Sequence, residues 1–142
     1  MSDRFAALAL PVDEAARMVI MHPITGQPLR DASGSEAYID LLSNDSQKAQ
    51  AFDRKRTTQR IERRARAATL TAEELEAEAT DKFAAQTTGW SLLGLGGEPL
   101  DIAFSEAVAR ELYAAPPMMW LREQVAIFQA NRANFGKASS KS

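Results

Sequence analysis

The chain has 142 residues, a formal net charge of −2, 45% hydrophobic and 25% charged residues, one histidine and no cysteine. That length suits one domain, able to bury about 70% of the surface its unfolded form exposes, and the composition is that of an ordinary globular protein. Disulfides, thiolate nucleophiles and thiolate metal sites are excluded, and no run approaches the roughly 18–20 apolar residues of a membrane helix.

Residues Met1 to Asp13 read as a flexible arm with a small apolar patch at Phe5, Leu8 and Leu10. They lack a cationic stretch followed by a long apolar run and a cleavage site, which points to a cytoplasmic protein. Residues 14–135 read as one α+β domain, and 136–142 as a disordered polar tail. The domain opens with a small antiparallel β-hairpin or meander over about 17–42. Met18, Ile20 and His22 alternate against Val19 and Met21. Pro23-Ile24-Thr25-Gly26 makes a turn, Gln27 to Leu29 a short return strand, and Ala37 to Leu42 a further strand.

Four helices follow, at about 46–68, 72–87, 105–114 and 117–135. Asn44 and Gln47 have capping-box spacing before the first, and Thr71-Ala-Glu-Glu74 repeats it before the second. Leu75, Ala79 and Phe83 line one face of the second helix. Thr88-Gly89 ends the second helix, and Trp90 starts a glycine-rich loop in which Gly97-Glu98-Pro99 forms a turn. Ser105 caps the third helix, with Val108, Leu112 and Tyr113 inward. Pro116-Pro117 opens the fourth.

Charge is segregated: Arg54 to Arg66 is a basic block, and Glu73 to Asp81 is acidic. Arg56, Arg60, Arg63 and Arg64 share a broad face that could meet phosphates. Phe52 is the only nearby aromatic for base stacking. The alternative is that Phe52, Ile61, Ala65 and Ala68 pack inward while the arginine stems cover the acidic helix. His22 reads as a strand-end residue entering a turn, not a metal ligand. Gly94-Leu-Gly96-Gly97 lacks the Lys-Ser/Thr of a phosphate loop, and the carboxylate pairs have no histidine or metal partner. No catalytic, cofactor-binding or metal-binding residue is expected.

The last helix carries the most informative pattern. Leu121, Val125, Phe128, Arg132 and Phe135 form one seam, with Trp120, Gln124 and Ile127 beside it. A core helix is one reading. The other is a partner-binding surface made of Met118, Trp120, Leu121, Gln124, Phe128, Arg132 and Phe135, since methionine and aromatic side chains suit adaptable binding.

A particular order of short motifs runs along the chain. Pro23-x-Thr25-Gly26 is followed by a basic helix, an acidic Thr-Ala-Glu-Glu helix, Gly89-Trp90, Gly97-Glu-Pro-Leu100 and a Phe104-Ser105 helix ending in Leu112-Tyr113. Trp120-Leu-Arg-Glu-Gln-Val125 and Asn131-Arg-Ala-Asn-Phe135 close the series. In this the chain resembles the tail assembly chaperones of long-tailed bacteriophages and prophages. The resemblance covers Val19 to Phe135, is sharpest from Gly89, and breaks at Glu106-Ala107-Val108, where the family has Pro-Glu-Asn. It implies a non-enzymatic protein of the host bacterial cytoplasm, without cofactors, that binds the tape-measure protein and helps recruit tail tube protein. It also implies either a homo-oligomer or a complex with a longer frameshifted form. The competing expectations are a structural virion protein, such as a tail completion or head–tail joining subunit, and a small nucleic-acid-binding protein using residues 54–66.

Overall fold

The computed structural model describes residues 3–65 and 69–136. After a 3-10 turn at Asp3–Leu8 come strands β1 (Ala16–Val19) and β2 (Tyr38–Leu41), then helices α1 (Gln47–Ala65) and α2 (Ala72–Ala85). Strand β3 (Thr87–Ser91) and helix α3 (Glu106–Ala114) follow. A 3-10 turn at Pro116–Met118 leads into α4 (Met119–Ala130), and Arg132–Asn134 form a last 3-10 turn. The expected α+β class and its four helices are present.

The sheet is antiparallel in the order β1-β2-β3. Alternation sorts its faces: Ala16, Met18, Ile20, Ile39 and Leu41 are buried, whereas Arg17 and Asp40 pair on the outer face through two contacts of 2.9 and 3.2 Å. The Arg17 guanidinium also lies 3.5 Å from the Tyr38 ring centre. Residues 27–29 add no full strand. Met21 bridges Pro28, and Leu29 donates its N–H to the Ile20 carbonyl, extending the hairpin irregularly. The third strand was expected in this N-terminal region and instead comes from Thr87–Ser91, so Trp90 lies in the sheet opposite Ile39 rather than opening a loop. Two threonines and a tryptophan favour a pleated, half-buried surface, and this overrides the stop signal at Gly89.

Turn chemistry follows the glycines where backbone geometry demands them. Gly26 sits at φ 71°, its N–H donating to the His22 carbonyl. Gly97 sits at φ 89°, and a Cβ there would stand 2.5 Å from the Arg30 carbonyl oxygen. Only glycine fits this second turn.

Helix α2 begins with the expected capping box: Thr71 accepts from the Glu74 N–H, and the Glu74 carboxylate accepts from the Thr71 N–H. Ser105 likewise caps α3 by accepting from Val108 N–H. The Asn44–Gln47 box does not form. Ser46 Oγ accepts from the Ala49 N–H, and Gln47 turns outward so that its backbone and side-chain amides donate to Asp13. A closer acceptor outside the helix wins over the spacing pattern.

The core lies between the sheet and the layer formed by α2, α3 and α4. Ile39, Leu41, Ala84, Ala109, Tyr113, Leu121 and Val125 fill it. Small side chains at Ala84 and Ala109, both fully buried, let α2 and α3 approach closely. Of the inward face expected for α1, Ile61 is 60% exposed, Ala65 is exposed and Phe52 only half-buried; Ala68 lies outside the described residues, as do residues 137–142 of the tail. α1 meets its neighbour through charge, so its apolar periodicity misleads. On α2, Phe83 and Ala79 are half-buried, but Leu75 is 47% exposed.

Candidate partner-binding site

A groove of about 500 Å³ opens between the β1 hairpin and α4. Its first wall is Met18, Val19, Met21, His22, Pro23 and Gly26; its second is Gln124, Ile127, Phe128, Asn131 and Asn134. No formally charged carboxylate, lysine or arginine lines it. Met21 is 40% exposed, Ile127 72% and Ile24, at the tip of the flanking turn, 85%.

One pair of hydrogen bonds joins the two walls, and local bonds shape each wall. The Met21 N–H donates to Gln124 Oε1 at 3.0 Å, and Gln124 Nε2 donates to the Met21 carbonyl at 2.7 Å. A side-chain amide thus occupies the backbone positions that a further strand would pair with. On the hairpin side, His22 Nδ1 accepts from the N–H groups of Ile24 and Thr25. This fixes the turn and agrees with the reading of His22 as a turn residue. At the far end Asn131 leaves the helix with ψ 101° and accepts from Ala133 N–H, while Asn134 Nδ2 donates to the Phe128 carbonyl.

That break at Asn131 redistributes the seven residues expected to form one binding surface. Phe135 does not continue a helix. It folds back to 6% exposure, edge-on to Phe128 with ring centres 5.4 Å apart. Leu121 is 2% exposed. Both belong to the core and offer a partner nothing. Met118 and Trp120 are half-buried against the core and do not line the groove. Arg132 is committed to Asp45, which it grips at 2.6 and 2.9 Å; the guanidinium holds the Asp45 carboxyl below the usual carboxylate range. Gln124 and Phe128 remain at the groove. Sequence reasoning placed Ile127 beside the seam and Met21 and Pro23 in the hairpin, but assigned none of them to binding. The signal for Ile127 was available, since it is a large apolar residue on the polar flank of an amphipathic helix.

The basic face is largely neutralised from within. Arg60 meets Glu78 at 2.7 Å, Arg63 meets Glu74 at 2.6 Å, and Arg56 meets Asp53 at 3.0 Å. The Arg63 guanidinium, aided by the Thr71 N–H, holds the Glu74 carboxyl down at about 2. Arg64 alone of the four is exposed without an ion pair among the described residues. The guanidinium groups of Arg60 and Arg63 face the acidic helix, and phosphates would have to displace these carboxylates first. Among the described residues no group of histidines and carboxylates could hold a metal.

No helix of the described residues is long and apolar enough to cross a membrane. No family model, curated protein or solved structure matches the chain.

Proposed function

We propose that this chain is a non-catalytic tail assembly chaperone of a long-tailed phage or prophage, acting in the host cytoplasm, and that the hairpin–α4 groove receives an amphipathic segment of the tape-measure protein. One observation carries the reading. Motifs behind the resemblance from opposite ends of the chain meet at one groove: Pro23 and Gly26 of the first line one wall, Gln124, Asn131 and Asn134 of the last two line the other, and Gln124 is hydrogen-bonded to Met21 across it. A tape-measure chain exposes long amphipathic helices before it is sheathed, and a groove lined by apolar and amide groups suits an apolar helical stripe. Met21, which is 40% exposed, supplies the side-chain adaptability such a role needs. Recruitment of tail tube protein would fall to other faces.

Co-expression with the tape-measure protein of the phage or prophage that carries this gene tests the reading. The native chain should co-purify with it and keep it in the soluble fraction. Ile127→Asp combined with Met21→Asp should abolish co-purification while leaving the circular dichroism spectrum and thermal midpoint essentially unchanged. Failure of the native chain to retain the tape-measure protein would sink the chaperone assignment. Retention by the double variant would leave that assignment and move the contact away from the groove.

A further inference from the structure

We propose that α1 beyond Phe52 is an arm latched to α2 by charge, which lifts away as ionic strength rises while the rest of the fold stays closed. This holds whether or not the chain is a chaperone. The helix spans 19 residues, yet its one buried residue is Ala49, near its start. Past Phe52 its attachments to α2 are four ion pairs: Asp53–Lys82 at 3.1 Å, Arg56–Glu78 at 4.0 Å, Arg60–Glu78 at 2.7 Å and Arg63–Glu74 at 2.6 Å. The only large apolar side chain on that stretch, Ile61, points into solvent.

Beneath the arm the packing is incomplete. A pocket of about 250 Å³, partly open to solvent, is lined by Arg56 on one side and by Ala79, Phe83 and Ala126 of α2 and α4 on the other. The Nε of Arg60 is buried without a hydrogen-bond partner among the described residues, a cost paid only while the arm is closed. The start of the helix is anchored differently. Ser46 and Ala49 are fully buried, and Gln47 is bonded twice to Asp13. The pivot therefore lies near Ser46–Ala49.

Two kinds of attachment respond differently to salt. Pairs between partly exposed charges are individually weak, and the screening length falls from about 8 Å at physiological ionic strength to about 3 Å at 1 M. The α2–α3 contact rests on Ala84, Ala109 and Tyr113, all fully buried, and apolar burial is not screened. Salt should open the arm selectively, uncovering Ala79 and Phe83.

Because the chain has no cysteine, paired spin labels report the distance directly. Thr58→Cys with Ala77→Cys reads α1 against α2, and Ala77→Cys with Ala114→Cys reads α2 against α3. Between about 0.05 M and about 1 M NaCl, the long-distance population of the first pair should rise roughly fivefold or more, with the second pair unchanged. Adding Glu78→Gln, which removes the partner of Arg56 and Arg60 without touching the α2 cap, should open the first pair already at low salt. A distance between the first pair that is insensitive to both salt and Glu78→Gln overturns the proposal. So does separation of both pairs together, which would be global loosening.

Discussion

Tyr113 shows how one side chain joins three elements. It is fully buried, and its hydroxyl lies 2.8 Å from Thr87 Oγ1, whose own hydrogen goes to the Phe83 carbonyl at 2.8 Å. Thr87 has a single proton to give, so Tyr113 must be the donor. The ring of Tyr113 also meets Phe83 at 5.7 Å between centres, and the chain of bonds ties the end of α2 to β3 and α3. Tyr113→Phe leaves the Thr87 oxygen buried without its donor and should cost about 1–2 kcal/mol in denaturant unfolding. Burial also pushes the phenol up to about 12 from its ordinary 10.0. A raised value favours the neutral form in the folded state. Its stabilisation is therefore intact below pH 10 and disappears as pH climbs to about 12. Ultraviolet titration of the native protein should show the Tyr113 phenolate only near the upper end of that window.

At the scale of elements, the start of α2 makes the opposite pH prediction. Glu74 both closes the capping box and accepts from Arg63 at 2.6 and 3.1 Å. Its folded value near 2 lies below the ordinary 4.5. The contribution is therefore present above about pH 4.5 and disappears as pH falls to about 2. A carboxyl-detected NMR titration should place the Glu74 midpoint near 2, and Arg63→Ala should raise it. The Thr71–Glu74 box could be read directly from residue types at fixed spacing because capping is local. The same logic failed at Asn44 because the acceptor for Gln47 came from Asp13, 34 residues away. Strand β3 was missed for a related reason: Thr88-Gly89 resembles a helix stop, while pairing with Tyr38–Leu41 is a tertiary fact. Ile61 illustrates the limit of periodicity. A helix held by ion pairs does not have to turn its isoleucine inward.

For the whole molecule, the sequence singled out the last helix but could not divide its residues between core and surface. Helical spacing ranks Phe135 with Phe128, yet the helix ends at Ala130, and the 3-10 turn after Asn131 sends Phe135 back into the protein. The opposite wall of the groove lies about a hundred residues earlier in the chain, so no local pattern could reveal it. This division predicts that stability and binding separate by residue. Phe135→Ala removes a ring that is 6% exposed and should cost about 3 kcal/mol or more, lowering the thermal midpoint by roughly 10 °C for a domain of this size. Ile127→Asp alters a side chain that is 72% exposed and should shift the midpoint by no more than about 2 °C, a change of about 0.5 kcal/mol. Capture of the proposed tape-measure partner at low temperature, where both variants are folded, should show the reverse order: Phe135→Ala retains it and Ile127→Asp releases it. Equal loss of capture in both would mean that the groove is shaped by the core it rests on. Thermal unfolding and capture measured on the same two preparations decide between these outcomes.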